Sequence, residues 1–144
     1  MSVSLYGSGQ TVIQVVQGTS TALVSATTAT NVTSGVTASI TPLSNTSKIL
    51  IMFSSVGYVN TVGGQLTTYI YKNSSQLGST LFSQQYGTAS GIEANVSFIY
   101  LDSPATTSAT TYAVYFNNTT GLGTVYLQNG GGTGTITLME IAYA

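Results

Sequence analysis

Hydrophobic positions along this chain recur mostly with the two-residue period of β-strands, in short runs cut by glycine, proline and asparagine. The densest run is Ile49-Leu50-Ile51-Met52-Phe53, fed by the turn-forming stretch Thr41-Pro42-Leu43-Ser44-Asn45. It is apolar at both parities, which predicts a central strand buried on both faces. Upstream, Thr11–Gln17 is a strand whose bulky positions do not alternate cleanly, so both of its faces are expected to be covered, and Gly18 is expected to break it. Ser20–Ser25 and Thr28–Val32 read as short threonine-rich extended pieces, and Val36–Ile40 alternates as a strand. Downstream, Gln65–Lys72 places Leu66, Thr68 and Ile70 on one face and Thr67, Tyr69 and Tyr71 on the other. A tight turn at Asn73-Ser74-Ser75 and a returning Gln76–Phe82 complete the strongest hairpin signal, with Ser83–Ile92 as a loop. Glu93–Leu101, Thr110–Phe116, Thr124–Leu127 and Thr135–Tyr143 are the remaining strands, and Asn129–Gly134 is a flexible turn. About nine or ten short strands at this spacing predict an all-β fold, an antiparallel β-sandwich or jelly roll. No window supports a helix and no fixed-period repeat is present. Residues 1–10 read as an N-terminal arm and residues 11–144 as one domain.

Composition changes the picture in one respect. Charged residues make up 3% of the 144, against about 25% in ordinary soluble domains. Lys48, Lys72, Glu93, Asp102 and Glu140 are the only carriers, and the net charge is −1. The surface must instead be covered by hydroxyls and amides, which 25 Thr, 19 Ser, 8 Asn and 8 Gln supply. Disorder does not fit, because 10 Tyr, 4 Phe and many Val and Ile recur in strand-length runs. A surface this poor in charge lacks the usual protection against association, so partners are expected to occupy much of it. Nucleic acid is not among them, for want of a basic patch. A membrane is not expected either, since no apolar run approaches the roughly 20 residues of a span. The first residues carry no basic segment with an apolar core, so no signal peptide is expected.

The chain contains no His, Cys or Trp, which removes the commonest general base, the commonest metal ligands and every thiol. The three carboxylates do not cluster. Asp102, close to Pro104, is expected to cap a turn; Glu140 to pair with Lys48 or Lys72; Glu93 to begin a solvated strand. Glycines 130–132 precede a strand rather than a helix and so lack the context of a phosphate loop. These readings predict no enzyme, no cofactor and no metal. Tyrosines are the most informative group: Tyr69, Tyr71, Tyr100, Tyr112, Tyr115, Tyr126 and Tyr143 all fall in strands. Most should serve core and cross-strand packing, while those on a second face suit a subunit interface or a surface on which glycan stacks.

Several segments together resemble small bacteriophage virion proteins and fibre tips. They are Val12-Ile13-Gln14-Val15-Val16-Gln17, a threonine-rich linker, Ala38-Ser39-Ile40-Thr41-Pro42, Ser47-Lys48-Ile49-Leu50-Ile51 and Tyr69-Ile70-Tyr71-Lys72-Asn73. Leu101-Asp102-Ser103-Pro104-Ala105-Thr106 leads into Thr111-Tyr112, and Ile136-Thr137-Leu138-Met139-Glu140-Ile141 closes the pattern. Lys72-Asn73 departs from it, standing where an Arg or other charged residue follows the Tyr-rich strand, and this weighs against a charge-dependent receptor role. The resemblance implies a trimeric jelly roll of the C1q/tumour-necrosis-factor type. It implies, first, a capsid decoration (cement) protein on the outer surface of a phage head, assembled in the host cytoplasm and bridging major capsid protein subunits. The alternative is a receptor-binding tail-fibre or knob domain that recognises host surface glycan. A homotrimer would use Tyr112, Tyr115, Ile141 and Tyr143 at its interface, and the arm would reach a capsid neighbour through Val3, Leu5 and Tyr6.

Overall fold

The computed structural model describes residues 10–78 and 81–143. Among these are eleven strands, one 3-10 segment at Asn129–Gly131 and no α-helix. The strands are β1 (Gln10–Ser20), β2 (Val24–Ala26), β3 (Val32–Ile40), β4 (Lys48–Val59), β5 (Gln65–Lys72) and β6 (Ser75–Gln76). They continue with β7 (Ser83–Tyr86), β8 (Ile92–Asp102), β9 (Thr110–Asn118), β10 (Val125–Leu127) and β11 (Gly134–Tyr143). Val3, Leu5 and Tyr6 lie outside the described residues, and Gln10 already belongs to β1.

Every pairing is antiparallel, and the strands form two sheets. In the front sheet β4 is central. β8 runs along one side of it for its whole length. On the other side β11 pairs with Lys48–Ser54 and β10 with Gly57–Val59, so the two follow one another along β4. β1 lies outside β11, and β2 outside β10. The back sheet runs β3-β9-β5, with β7 on one half of β5 and β6 on the other. The front sheet thus holds β1, β2, β4, β8, β10 and β11 and the back sheet β3, β5, β6, β7 and β9, and the two stack face to face as a β-sandwich.

The core is the set of inward positions from both sheets. Ile49, Ile51, Phe53, Val96, Phe98, Ile136 and Leu138 come from the front, and Val36, Ile40, Leu66, Ile70, Tyr112, Val114 and Phe116 from the back. Phe98 packs against Phe53 and Phe82 with ring centroids 5.1 and 5.3 Å apart, and Phe82 meets Tyr100 edge-on.

Four expectations are corrected. β4 alternates: Ile49, Ile51 and Phe53 are buried, whereas Leu50 and Met52 point outward and are only half-buried. β1 lost its alternation for a different reason from the one expected. Its pairing with β11 slips between Val12 and Gln14, so Ile13 is the extra residue of a β-bulge and flips the parity of everything before it. Gly18 does not end β1 but sits inside it. A Cβ there would come within 1.8 Å of the Thr37 carbonyl oxygen, so glycine allows β1 to close against β3. Finally, Ser83–Tyr86 is not a loop. It is β7, which pairs with the first half of β5 and is locked by a 2.6 Å hydroxyl contact between Thr68 and Ser83.

Candidate assembly surface and polar groove

The outward face of the front sheet is built from alternate residues of four neighbouring strands, and register aligns them into rows. One row runs Val15–Met139–Leu50–Leu101 and the next Gln17–Thr137–Met52–Ile99. Ile141 pairs with Val12 beyond the first of these. Val12, Val15, Ile99 and Leu101 are 49%, 57%, 71% and 43% exposed, and Met139, Leu50, Met52 and Ile141 are half-buried between them. This is a contiguous apolar patch on a regular sheet, with no covering layer among the described residues. Isolated exposed hydrophobics are ordinary, but a continuous group marks an interaction site.

The same face changes character along the strands. After Met52 and Ile99 the rows become Thr19–Thr135–Ser54–Ser97 and then Val56–Asn95 and Tyr58–Glu93. Tyr58 also faces Tyr126 of β10, with ring centroids 5.8 Å apart. The segment between β10 and β11 crosses this half. Gln128, Gly130 and Gly131 adopt positive φ to make the crossing, and the Asn129 amide donates to Glu93 Oε2. A groove of about 260 Å³ is left beside the crossing, lined by Ser54, Ser55, Val56, Glu93, Ala94, Asn95 and Thr133.

The outward face of the back sheet is different. Tyr71 stacks on Tyr115 at 3.9 Å. The Asn117 amide donates to the Ala29 carbonyl, the Asn31 side chain and the Tyr69 hydroxyl, and the Asn31 amide donates in turn to Tyr71 and Gln76. Much of that face is thus closed by its own hydrogen bonds.

The proposed interface residues do not gather in one place. Tyr112 has no exposed surface: its ring fills the core and its hydroxyl donates to Asp102 Oδ2 at 2.6 Å. It is therefore unavailable to a neighbour. Burial, then the hydrogen bond to Asp102 and the charge of that carboxylate, hold the Tyr112 phenol above its usual pKa range. Tyr115 lies on the outward face of the back sheet, and Ile141 on that of the front sheet. Tyr143 is the last residue of β11 and pairs with Gln10. The apolar patch that Ile141 joins was otherwise missed. Its signal was present in the sequence, since Ile49–Phe53 and Phe98–Leu101 are apolar at both parities.

The three carboxylates stay apart. Asp102 is buried, takes the Lys72 ammonium on both oxygens at 3.0 and 3.3 Å, and is no exposed turn cap. Glu140 is buried and accepts the Leu43 backbone N–H at 2.8 Å, which ties the turn before β4 to β11. It was expected to pair with Lys48 or Lys72; Lys72 is engaged by Asp102. Glu93 stands at the groove. Among the described residues no group of three or more acidic side chains converges as a metal site would require.

No protein-family model matches the chain, and no curated protein does. Among solved structures it is similar to the infectious bursal disease virus VP2 subviral particle, with a TM-score of 0.51 at 12% identity over 90% of this chain. The chain spans 39% of the length of that protein. At that identity the likeness is one of fold, a β-sandwich shared with a viral particle protein.

Proposed function

We propose that this protein is a non-enzymatic structural protein of a bacteriophage virion: a homotrimeric decoration protein on the outer surface of the head, bridging major capsid protein subunits. The apolar patch on the front sheet carries this reading. Fully covering a Val, Leu or Ile side chain is worth about 1.5–3 kcal/mol, and several stand exposed together on a rigid sheet. The front-sheet order β1-β11-β4-β8 against β3-β9-β5-β7 supports a jelly roll of the C1q/tumour-necrosis-factor type. A cyclic trimer needs two different patches on each protomer. The front-sheet patch with Ile141 supplies one, and the tyrosines of the back sheet around Tyr115 suit the other. Tyr112 drops out of that interface. The scarcity of charge suits a surface spent on partners, and the segment bearing Val3, Leu5 and Tyr6 precedes β1 in sequence. The fold likeness to a viral particle protein is in keeping with a virion role. The alternative, a receptor-binding knob that recognises host glycan, is favoured by the tyrosine pair Tyr58–Tyr126 beside a polar groove.

Sedimentation of the purified protein with decoration-stripped virions and, separately, with host cells tests the choice. Saturable binding to heads at a copy number divisible by three is expected. Binding to cells and not to heads would overturn the decoration reading.

A further inference from the structure

We propose that the groove beside the β10–β11 crossing is a binding site for a single neutral sugar ring, with Glu93 and Asn95 as its principal hydrogen-bonding residues. It differs from the apolar patch in position and chemistry. A neighbour seated on Val15, Met139, Leu50 and Leu101 leaves it at the far end of the same face. The proposal rests on the glycan-recognition alternative and not on the decoration reading, so failure to bind capsids would leave it untouched.

The lining decides the class of ligand. Glu93 is its one charged group, so phosphates and carboxylates are repelled. Val56 and Ala94 are its apolar side chains, and they offer the C–H face of a ring something to rest on. What remains is an alternation of donors and acceptors. Asn129 engages Oε2 of Glu93, and no described residue donates to Oε1. Asn95 accepts from the Ser54 hydroxyl at 3.3 Å through Oδ1, and its Nδ2 donates to none of the described residues. The Ser54 and Thr133 hydroxyls both donate and accept. Adjacent hydroxyls of a pyranose, each a donor and an acceptor, match such a set. The apolar face of the ring also has counterparts. Val56 and Ala94 line the groove itself, and the Tyr58–Tyr126 pair lies outside that lining on the same face, where Tyr58 is the cross-strand neighbour of Glu93.

The site is also built rather than incidental. Gly132 rests so closely on Val56 that a Cβ would come within 2.6 Å of a Val56 methyl, so the crossing segment lies against the sheet. Its Asn129 then fixes the Glu93 carboxylate. At about 260 Å³ the groove falls below the roughly 300–1,000 Å³ of sites for drug-sized molecules, which limits the occupant to one ring. A ligand of that size at ordinary efficiency binds with a dissociation constant on the order of 1 mM.

Nitrogen-15-labelled protein, titrated with methyl glucoside, methyl galactoside, methyl mannoside and N-acetylglucosamine, tests the assignment by amide shifts. Expected are saturable shifts at Ser54, Glu93, Asn95 and Thr133 with at least one sugar, while Val15 and Leu101 stay still. Asn95→Ala and Glu93→Gln should each weaken that binding by about tenfold or more, one hydrogen-bonding partner being lost or altered; the same spectra report whether each variant is folded. Absence of saturable shifts with all four sugars at roughly ten times the expected constant would overturn the proposal. So would affinity unchanged in both folded variants, or equal shifts caused by inorganic phosphate.

Discussion

Tyr112 shows how little charge this fold needs when each charge is placed well. Its hydroxyl, the Asp102 carboxylate and the Lys72 ammonium form one chain linking β9, β8 and β5 at a shared end of the sandwich. A hydrogen bond to a charged group is worth about 1.5–3 kcal/mol, and removing one partner leaves the other short of a bond. Tyr112→Phe should therefore cost about 2 kcal/mol in urea unfolding at neutral pH. The raised pKa of this phenol adds a pH signature. Its folded pKa lies above the unfolded value of about 10, so its contribution is fully present below pH 10 and is lost as pH rises through the alkaline range. Each pH unit above about 10 should then remove close to 1.4 kcal/mol from the native protein. The Tyr112→Phe variant should lack that component, which urea midpoints measured at stepped alkaline pH will show.

At the scale of elements, two tight places make opposite predictions. Gly18 is pressed against the Thr37 carbonyl, so Gly18→Ala must push β1 away from β3; overpacking of this kind costs about 1–3 kcal/mol, readable in the melting temperature. The β5–β6 turn holds Asn73 at φ 48° and Ser74 at φ 69°, both left-handed, as a two-residue hairpin turn requires. Asn73 suits its place and its Oδ1 accepts the Thr111 N–H at 2.9 Å. Ser74 does not, and Ser74→Gly should raise stability by about 0.5–1 kcal/mol. Strand positions were largely legible because the two-residue period is local: Leu66, Thr68 and Ile70 do share the inward face of β5. What was not legible depends on pairing. Ile13 reads as an apolar residue like its neighbours until β11 shows it to be a bulge. β7 hid in a glutamine-bearing stretch because its support comes from Thr68, fifteen residues earlier in sequence. The groove was invisible for the same reason, since Ser54, Asn95 and Thr133 meet only through β4, β8 and the β10–β11 crossing.

For the whole molecule the question is what covers the front sheet. The apolar run Ile49–Phe53 was read as burial on both faces, and one face is indeed core. The other matches Val15, Met139, Ile99 and Leu101 from three further strands, an agreement in keeping with the proposed cover from outside the sandwich. Lys48 pairs with Ile141 at the border of those rows, so the patch has a charged rim on that side. If a second and third copy provide the cover, folding and association are linked, and the melting temperature must fall on dilution. Ile99 and Leu101 offer the sharper test, because both are exposed in the single chain and their replacement leaves the core untouched. Ile99→Lys with Leu101→Asp should keep the β-sheet circular dichroism of the parent. It should sediment as the 14.8 kDa protomer, whereas the proposed trimer requires the parent to sediment with the mass of three chains. Its melting temperature should no longer depend on concentration. A double variant that remains trimeric would show that the patch faces a different partner, and would move the copy–copy contact to the tyrosine face of the back sheet.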